Sequence, residues 1–239
     1  MDRKLTLAQL QQMKHAGRKI VAVVVYDYQM AQVVDRAGVD IVSVGDSVGS
    51  QMWGLSSERD VTVEQMLLAC RGVRRGVRQA VVSCDIPESA DPLKAAQALF
   101  TDGGADLVKV EADAEVVREI VAAGVPVWAQ LSNCGALVDE LVARAEALQA
   151  AGASLIDFRH SGPLAGPAVA EALSIPVIGG LGGGPWLDGR VRAIGNAIGY
   201  TAAALNDNTD RYANVARVAF DAVTMYADDV RGGRQIRGK

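Results

Sequence analysis

Three acidic side chains could together bind a metal ion, because Asp46, Asp85 and Glu111 each follow an apolar run of the sequence. In a parallel α/β barrel, the carboxyl ends of the strands meet at the face that carries the active site. Three carboxylates gathered there without a counter-charge would repel one another and raise each other's pKa. A hard divalent cation relieves that repulsion, and carboxylate ligands favour Mg²⁺ or Mn²⁺ over zinc. We therefore predict a magnesium or manganese site at these three acids.

Further polar side chains are expected at the same face. They are Tyr26, Ser47, Lys109, Gln130, Asp157, Arg159 and His160. Lys109 lies two positions before Glu111, so both share one side of a strand, and the ammonium group either serves the metal site or only neutralises Glu111. Asp157 and Arg159 also share a side and are predicted to pair inside the barrel. His160 should then face outward, although its imidazole is the strand-end group whose pKa suits proton transfer near neutral pH.

Several of these residues also have ordinary structural roles. An acid after a strand often caps a helix, and Asp85 before Pro87 could simply form a turn. Tyr26 could donate a hydrogen bond to a substrate or belong to the core, and Cys84 is expected to be a small buried apolar residue. The glycine-rich run at 179–184 could bind a phosphate through backbone N–H groups or be a tight turn.

Apolar runs and helical patterns alternate along the chain, which predicts about eight βα units. The predicted strands are 20–26, 39–44, 80–84, 105–110, 126–131, 154–158, 175–178 and 195–199, and the predicted helices include 30–37, 62–75, 92–102, 114–123, 138–151, 164–173 and 208–230. Such units close into a single (β/α)8 TIM barrel, with a doubly wound open sheet as the alternative. We predict one domain over residues 1–239, ending in a long helix whose apolar face favours a homo-oligomer.

Composition excludes several classes of function. The chain has 239 residues, 50% of them hydrophobic and 22% charged, with a net charge of −4, which argues against disorder and gives no basic stripe for nucleic acid. Three cysteines and two histidines without paired spacing suggest neither a disulfide framework nor a zinc site. No uninterrupted apolar stretch reaches about 18 residues, and the polar N-terminus is unlike a signal peptide. We therefore expect a cytoplasmic protein without a membrane or nucleic-acid partner.

The segment VVYDYQMAQVVDRAGVDIVSVGDSVGSQMWG resembles the ketopantoate hydroxymethyltransferases, which belong to the isocitrate lyase and phosphoenolpyruvate mutase superfamily of barrels. The resemblance continues through VTVEQMLLACRGVRRG, SCDIP, KVEAD and EALSIPVIGGLGGG. It extends from about residue 22 to about residue 199. YDY, VGDS, the later Asp and Lys-x-Glu are specific when they occur together in this order.

The resemblance implies a metal-dependent reaction through an enolate. In that family, the aspartates matching Asp46 and Asp85 hold Mg²⁺, and the glutamate matching Glu111 completes the site. The residues matching Ser47 and Lys109 contact the 2-oxo acid substrate. The ion chelates the carboxylate and keto oxygens of the substrate and stabilises the enolate formed when a C3 proton leaves. The enolate then attacks a one-carbon unit from methylenetetrahydrofolate.

The sequence departs from the family pattern at two strand ends. Arg159 stands where the family has a glutamate general base, and Gln130 stands where it has a histidine. The loop after Gln130 is shortened to SNCGALVDE. Arginine stays protonated and is a poor base, but its guanidinium binds a carboxylate or a phosphonate well. These departures leave open whether methylenetetrahydrofolate is used.

We predict an Mg²⁺- or Mn²⁺-dependent enzyme that forms or cleaves a C–C bond of a small 2-oxo acid by aldol-type chemistry. The candidate catalytic residues are Arg159 and His160, and the candidate substrate-binding residues are Tyr26, Ser47, Lys109, Gln130 and Arg159. One alternative is a lyase, hydrolase or mutase acting on an oxo or phosphono-oxo acid held by Arg159. The other is a non-catalytic barrel that keeps the metal.

Overall fold

Eight parallel strands close into a barrel in the computed structural model, which describes residues 4–180 and 184–234. The strands are β1 (Ile20–Val25), β2 (Ile41–Val44), β3 (Val81–Asp85), β4 (Leu107–Val110), β5 (Val127–Ser132), β6 (Leu155–Arg159), β7 (Val177–Gly179) and β8 (Gly189–Ala193). The α-helices are α1 (Leu7–His15), α2 (Tyr28–Arg36), α3 (Val48–Met52), α4 (Val63–Gly76), α5 (Pro92–Thr101), α6 (Ala114–Ala122), α7 (Val138–Ala150), α8 (Gly162–Ala172), α9 (Ile194–Ile198) and α10 (Val215–Arg231). The strands follow one another around the barrel in chain order, which confirms the predicted (β/α)8 TIM barrel over the open sheet.

Apolar runs become barrel strands because both of their faces are covered. Every residue of β2 and β3 is buried, as expected for strands with helices on one face and a packed interior on the other. In that interior, the hydroxyl groups of Ser43 and Ser83 lie 2.7 Å apart and satisfy each other. The barrel closes where the backbone N–H of Ile20 donates to the carbonyl of Asp188 at 2.9 Å.

Side-chain caps fix where several helices begin. A capping box opens α4, because Thr62 and Gln65 each accept the backbone N–H of the other. Asp27 and Asp113 cap α2 and α6 through their carboxylates. Asp85 caps no helix: it is the last residue of β3 and is buried. The helix-cap explanation therefore applies to other acids that follow strands, but not to this one.

The prediction of a last strand at 195–199 is wrong. Those residues belong to α9 and to Gly199, which ends that helix in a left-handed conformation at φ 63°. The eighth strand is β8. It could not be recognised in the sequence, because the exposed Arg190 lies between two buried residues and interrupts any apolar run. Glycine is needed at 189, since a Cβ there would lie 2.1 Å from the carbonyl oxygen of Ile20 in the adjacent strand.

The long C-terminal helix begins later than predicted. α10 starts at Val215 and not at 208, because Asn214 accepts the N–H of Arg217 at 3.0 Å and caps the helix there. The apolar pattern within the helix was visible in the sequence, but the side chain that starts it was one of several asparagines in the preceding segment.

The chain divides into two compact units, residues 1–192 and 193–239. The first contains the barrel strands as far as residue 192, and the second contains α9 and α10. None of the described helices is long and apolar enough to cross a membrane. The glycine-rich run at 179–184, a possible phosphate-binding loop, includes residues 181–183, which lie outside the described residues.

Candidate active site

A cavity of about 180 Å³ opens at the carboxyl ends of β2 to β6. The residues that line it are Asp46, Glu58, Asp85, Ile86, Pro87, Glu88, Ala90, Pro92, Lys109, Val110, Glu111, Gln130 and Arg159. Six of these are residues that the sequence predicted for the site: Asp46, Asp85, Lys109, Glu111, Gln130 and Arg159. The cavity therefore lies where a barrel of this type carries its chemistry.

A row of alternating charges lies along this cavity. The Lys109 ammonium is 3.1 Å from a carboxylate oxygen of Asp85 and 3.8 Å from one of Asp157. Nε of Arg159 lies 3.8 Å from the same Asp157 oxygen, so the predicted pair is present. The ammonium also lies 5.4 Å from the centroid of the Trp128 ring. Lys109 thus neutralises two aspartates, and not the glutamate two residues along its own strand.

Burial disfavours the charged forms of Asp46 and Asp85, two of the three predicted metal ligands. It raises the pKa of Asp46 to about 6, and the negative charge of Asp85 adds to the effect. Burial also raises the pKa of Asp85, against the opposing charge of Lys109. For Lys109, burial favours the neutral amine, but the charges of Asp85 and Asp157 outweigh it and the net pKa is raised. The ammonium therefore stays protonated. Its charge does not fully offset the burial of Asp46 and Asp85, because the pKa of each remains raised.

Glu111 does not join Asp46 and Asp85 in one cluster. Its carboxylate accepts a hydrogen bond from Nε2 of Gln130 at 2.6 Å and another from the hydroxyl of Ser132 at 3.4 Å. Among the described residues, no three acidic, histidine or cysteine side chains are grouped so that they could hold one ion. The Gln130 amide, on the neighbouring strand, holds the third carboxylate, and a metal site of all three acids stays a prediction.

Asp46 and Asp85 by themselves fit a hard divalent cation. Magnesium is commonly held by one or two carboxylates, with waters and substrate oxygens completing the octahedron. An ion beside Asp46 would offset the burial and the repulsion that raise its pKa. One carboxylate oxygen of Asp85 faces the Lys109 ammonium and, in the part of the chain that the structure describes, receives no hydrogen bond.

Three predicted site residues do not line the cavity. The hydroxyl groups of Tyr26 and Ser47 lie 3.0 Å apart and bond to each other, and burial raises the pKa of Tyr26. His160 lies directly after β6 with its backbone at φ 53°, and its side chain is exposed. The exposure of this side chain agrees with the outward orientation expected from strand alternation, and His160 is not among the residues that line the cavity.

Sequence reasoning missed one cavity residue, Glu58. It begins the 3-10 helix Glu58–Asp60 in the long connection between β2 and α4. Burial raises the pKa of Glu58 and the charge of Asp46 adds to this, whereas Arg159 and Lys109 oppose it. The only available signal was an acidic residue in the loop that follows the strand carrying Asp46.

Comparisons with known proteins decide the family. The family model described as ketopantoate hydroxymethyltransferase matches residues 4–135 and 132–235. The 3-methyl-2-oxobutanoate hydroxymethyltransferase of Alkalilimnicola ehrlichii is 34% identical over 255 residues, which cover 97% of this chain and 92% of that protein. The chain belongs to the ketopantoate hydroxymethyltransferase family. The enzyme of the same name from Chloroflexus aurantiacus is 31% identical and is covered to 90%, with 96% of this chain matched.

Solved structures extend the likeness of this ketopantoate hydroxymethyltransferase family member to a wider set of barrels. A 2,3-dimethylmalate lyase, described as a PEP mutase/isocitrate lyase superfamily member, matches with a TM-score of 0.67 at 17% identity and 96% coverage of both chains. A phosphonopyruvate hydrolase, solved with oxalate and Mg²⁺, matches with a TM-score of 0.66 at 17% identity, covering 96% of this chain and 89% of that one. These two likenesses show the shared fold, and the family membership supports an aldol-type enzyme.

Proposed function

We propose that this protein is an Mg²⁺- or Mn²⁺-dependent enzyme that removes a proton from C3 of a small 2-oxo acid and makes or breaks a C–C bond at that carbon. Hydroxymethyl transfer, for which its relatives are named, is the nearest precedent. One observation carries the proposal: Asp46, Asp85 and the Lys109 ammonium line one cavity at the carboxyl ends of the strands. The cavity volume of about 180 Å³ suits a small acid.

Asp46 and Asp85 are the residues that would hold the ion. Glu111 lines the same cavity, and we place it as a third member that acts through water while Gln130 holds its carboxylate. When bound, the ion supplies positive charge that orients the carboxylate and keto oxygens of the substrate and stabilises the charge developing on the keto oxygen.

The remaining residues bind and orient the substrate. Lys109 brings a second positive charge to the cavity, where the keto oxygen becomes negative. The guanidinium of Arg159 is partly exposed at the cavity and can bind the substrate carboxylate through two parallel hydrogen bonds. Ser47, bonded to Tyr26, offers its backbone N–H to the Asp46 carboxylate and so positions that ligand.

A lyase, hydrolase or mutase acting on a phosphono-oxo acid is the second candidate, and Arg159 favours it. A planar guanidinium matches the oxygens of a phosphonate as well as those of a carboxylate. Release of inorganic phosphate from phosphonopyruvate would support this reading. Methylenetetrahydrofolate is part of the first candidate only, as the donor of the one-carbon unit.

Hydrogen exchange at C3 tests the proposed function. With Mg²⁺ in D₂O, we expect the protein to replace the C3 proton of 3-methyl-2-oxobutanoate by deuterium, followed by proton NMR. The exchange should stop when EDTA removes the ion and return with added Mg²⁺ or Mn²⁺. The matched probe 3,3-dimethyl-2-oxobutanoate has no C3 hydrogen and should raise the Tm without exchange. Metal binding without exchange of any 2-oxo acid would instead support a non-catalytic barrel that keeps the metal.

We also propose that the protein forms a homo-oligomer through α10. Val218 and Val223 on this helix are 69% and 65% exposed, and no described residue of the helix is buried in the single chain. A contiguous exposed apolar face of this kind is typical of an interface. Light scattering should give a mass of at least two chains, and replacing both valines by lysine should reduce it to one. A single-chain mass for the unaltered protein would exclude this proposal.

A further inference from the structure

The proposed reaction needs a proton acceptor that the residues predicted from the sequence do not supply. The guanidinium of an arginine such as Arg159 is a poor base, and His160 is not among the residues that line the cavity. The carboxylates that line the cavity are Asp46, Glu58, Asp85, Glu88 and Glu111. A base should be sought among those whose charge is not already paired or committed to a metal ion.

Among the described residues, two of these five carboxylates, Asp46 and Glu58, receive neither a hydrogen bond nor an ion pair from another side chain. The two aspartates are the proposed metal ligands. Glu111 accepts the hydrogen bonds of Gln130 and Ser132, and Glu88 forms a two-point ion pair with Arg59. Glu58 has neither a hydrogen bond from another side chain nor an ion pair within the described residues.

Two contacts order the short 3-10 helix that carries Glu58 into the cavity lining. Its 3-10 helix is capped by the hydroxyl of Ser57, which accepts the N–H of Arg59 at 3.2 Å. The guanidinium of Arg59 then binds both carboxylate oxygens of Glu88, with Nε at 3.0 Å and Nη2 at 2.9 Å. Glu88 lies three residues after Asp85, the last residue of β3. The Arg59–Glu88 ion pair therefore connects the segment that carries Glu58 with the segment that follows β3.

The electrostatic surroundings of Glu58 suit a base better than those of an ordinary surface glutamate. The side chain is exposed overall, but the partial loss of water around its carboxylate raises the pKa of Glu58, and the charge of Asp46 raises it further. A carboxylate whose pKa is raised toward the working pH gains driving force as a proton acceptor. Arg159 and Lys109 oppose the shift, because their positive charges favour the ionised carboxylate of Glu58.

We propose that Glu58 is the general base that removes the C3 proton of the 2-oxo acid, an inference that rests on the proposed function. The proton passes from C3 to a carboxylate oxygen of Glu58. The electron pair of the C–H bond forms the C2–C3 double bond, and the keto π pair moves to the keto oxygen, which gives the enolate. In D₂O, the carboxyl group exchanges its proton with solvent and returns a deuteron to C3.

Exchange of 3-methyl-2-oxobutanoate in D₂O with Mg²⁺ tests this role. Glu58→Gln should lower the exchange rate by about 10² to 10⁴-fold, the range for loss of a positioned acid–base group. The rise in Tm on adding Mg²⁺ and the oxo acid should stay as in the unaltered protein. Glu58→Ala should regain part of the lost rate in added formate, with saturation, because a small carboxylate can occupy the vacated space. Asp60→Asn, an exposed acid of the same 3-10 helix outside the cavity lining, is the matched control and should exchange normally.

The outcomes separate this inference from the proposed function. Exchange by Glu58→Gln within about threefold of the unaltered rate would overturn the role of Glu58 and leave the enzyme proposal standing. Loss of exchange together with loss of oxo-acid binding, and without rescue by formate, would also overturn it. Failure of the unaltered protein to exchange any 2-oxo acid would remove the proposed function and this inference with it.

Discussion

Replacing Lys109 with methionine is expected to lower the free energy of unfolding by about 3 to 5 kcal/mol, the range for removing one partner of a buried ion pair. The residue is 5% exposed, and its ammonium lies 3.1 Å from Asp85 and 3.8 Å from Asp157. Methionine keeps a side chain of similar length but leaves both acids without that counter-charge. Urea unfolding in EDTA at pH 8 measures the difference.

The loss should depend on pH in a defined direction. The pKa of Lys109 in the folded protein is raised above its ordinary value of 10.5. Its contribution to stability is therefore complete below 10.5 and is lost only as the pH rises through the higher folded-state value. In the variant, Asp85 avoids an unpaired buried charge by binding a proton. The deficit should consequently shrink as the pH falls from about 8 to about 5.

Two further variants make this prediction specific. Lys94→Met removes an exposed lysine that lies 3.9 Å from Asp91, and it should change the free energy of unfolding by less than about 1 kcal/mol. Adding Asp85→Asn to Lys109→Met should recover part of the loss, because it removes the buried acid whose cation the first substitution took away. A Lys109→Met protein as stable as the Lys94→Met protein at pH 8 would contradict the buried charge row.

The barrel and most of its cavity could be predicted because both follow from patterns along the chain. Alternating apolar runs and helical periods indicate βα units, and the carboxyl ends of the strands must then meet at one face. The positions of Asp46, Asp85 and Gln130 in the cavity follow from that rule alone. Strand β8 was not predicted in this way, because exposed arginines alternate with buried residues along it and no apolar run is visible.

Contacts across strands could not be predicted, since they depend on register. Lys109 lies in β4 and Glu111 directly follows it. Their spacing of two residues puts both side chains on one side, which suggested an ion pair between them. In the barrel, Lys109 lies directly opposite Asp85, and its ammonium binds that carboxylate. Glu111 instead accepts a hydrogen bond from Gln130 of the next strand, a contact that its spacing from Lys109 does not indicate.

The place of Glu58 could not be predicted either, because a connection has no periodicity that fixes its path. Its segment contacts the rest of the cavity lining where the neighbouring Arg59 binds Glu88, which lies 29 positions further along the chain. A loop residue of this kind is found from the cavity lining and not from the strand ends.

Asp85→Asn is expected to lower the Mg²⁺-dependent C3 exchange of 3-methyl-2-oxobutanoate by at least about 10³-fold, which corresponds to ~4 kcal/mol of transition-state stabilisation. The amide has the shape of the carboxylate but lacks the charge that a hard cation requires. The rise in Tm that Mg²⁺ gives the unaltered protein should disappear in the same variant. This loss of metal binding distinguishes the effect of Asp85 from that of Glu58, whose variants should still bind the ion.

The metal-free stability of Asp85→Asn should change less than that of Lys109→Met. Burial raises the pKa of Asp85, so its ionised form costs stability at every pH above the pKa of the unfolded chain, and removing the charge removes that cost. Lys109 keeps a partner in Asp157 at 3.8 Å. The two effects oppose each other, whereas the lysine substitution leaves Asp85 without its cation and Asp157 with Arg159 alone.

Asp27→Asn is the matched control, because Asp27 also follows a strand but uses its carboxylate to cap α2, accepting the N–H groups of Gln29 and Met30 at 2.8 and 2.9 Å. Asparagine caps helices as well as aspartate does, so exchange and its dependence on Mg²⁺ should both persist. If Asp85→Asn behaved like Asp27→Asn in these assays, the acid at the end of β3 would be a structural residue and the proposed metal site would be wrong.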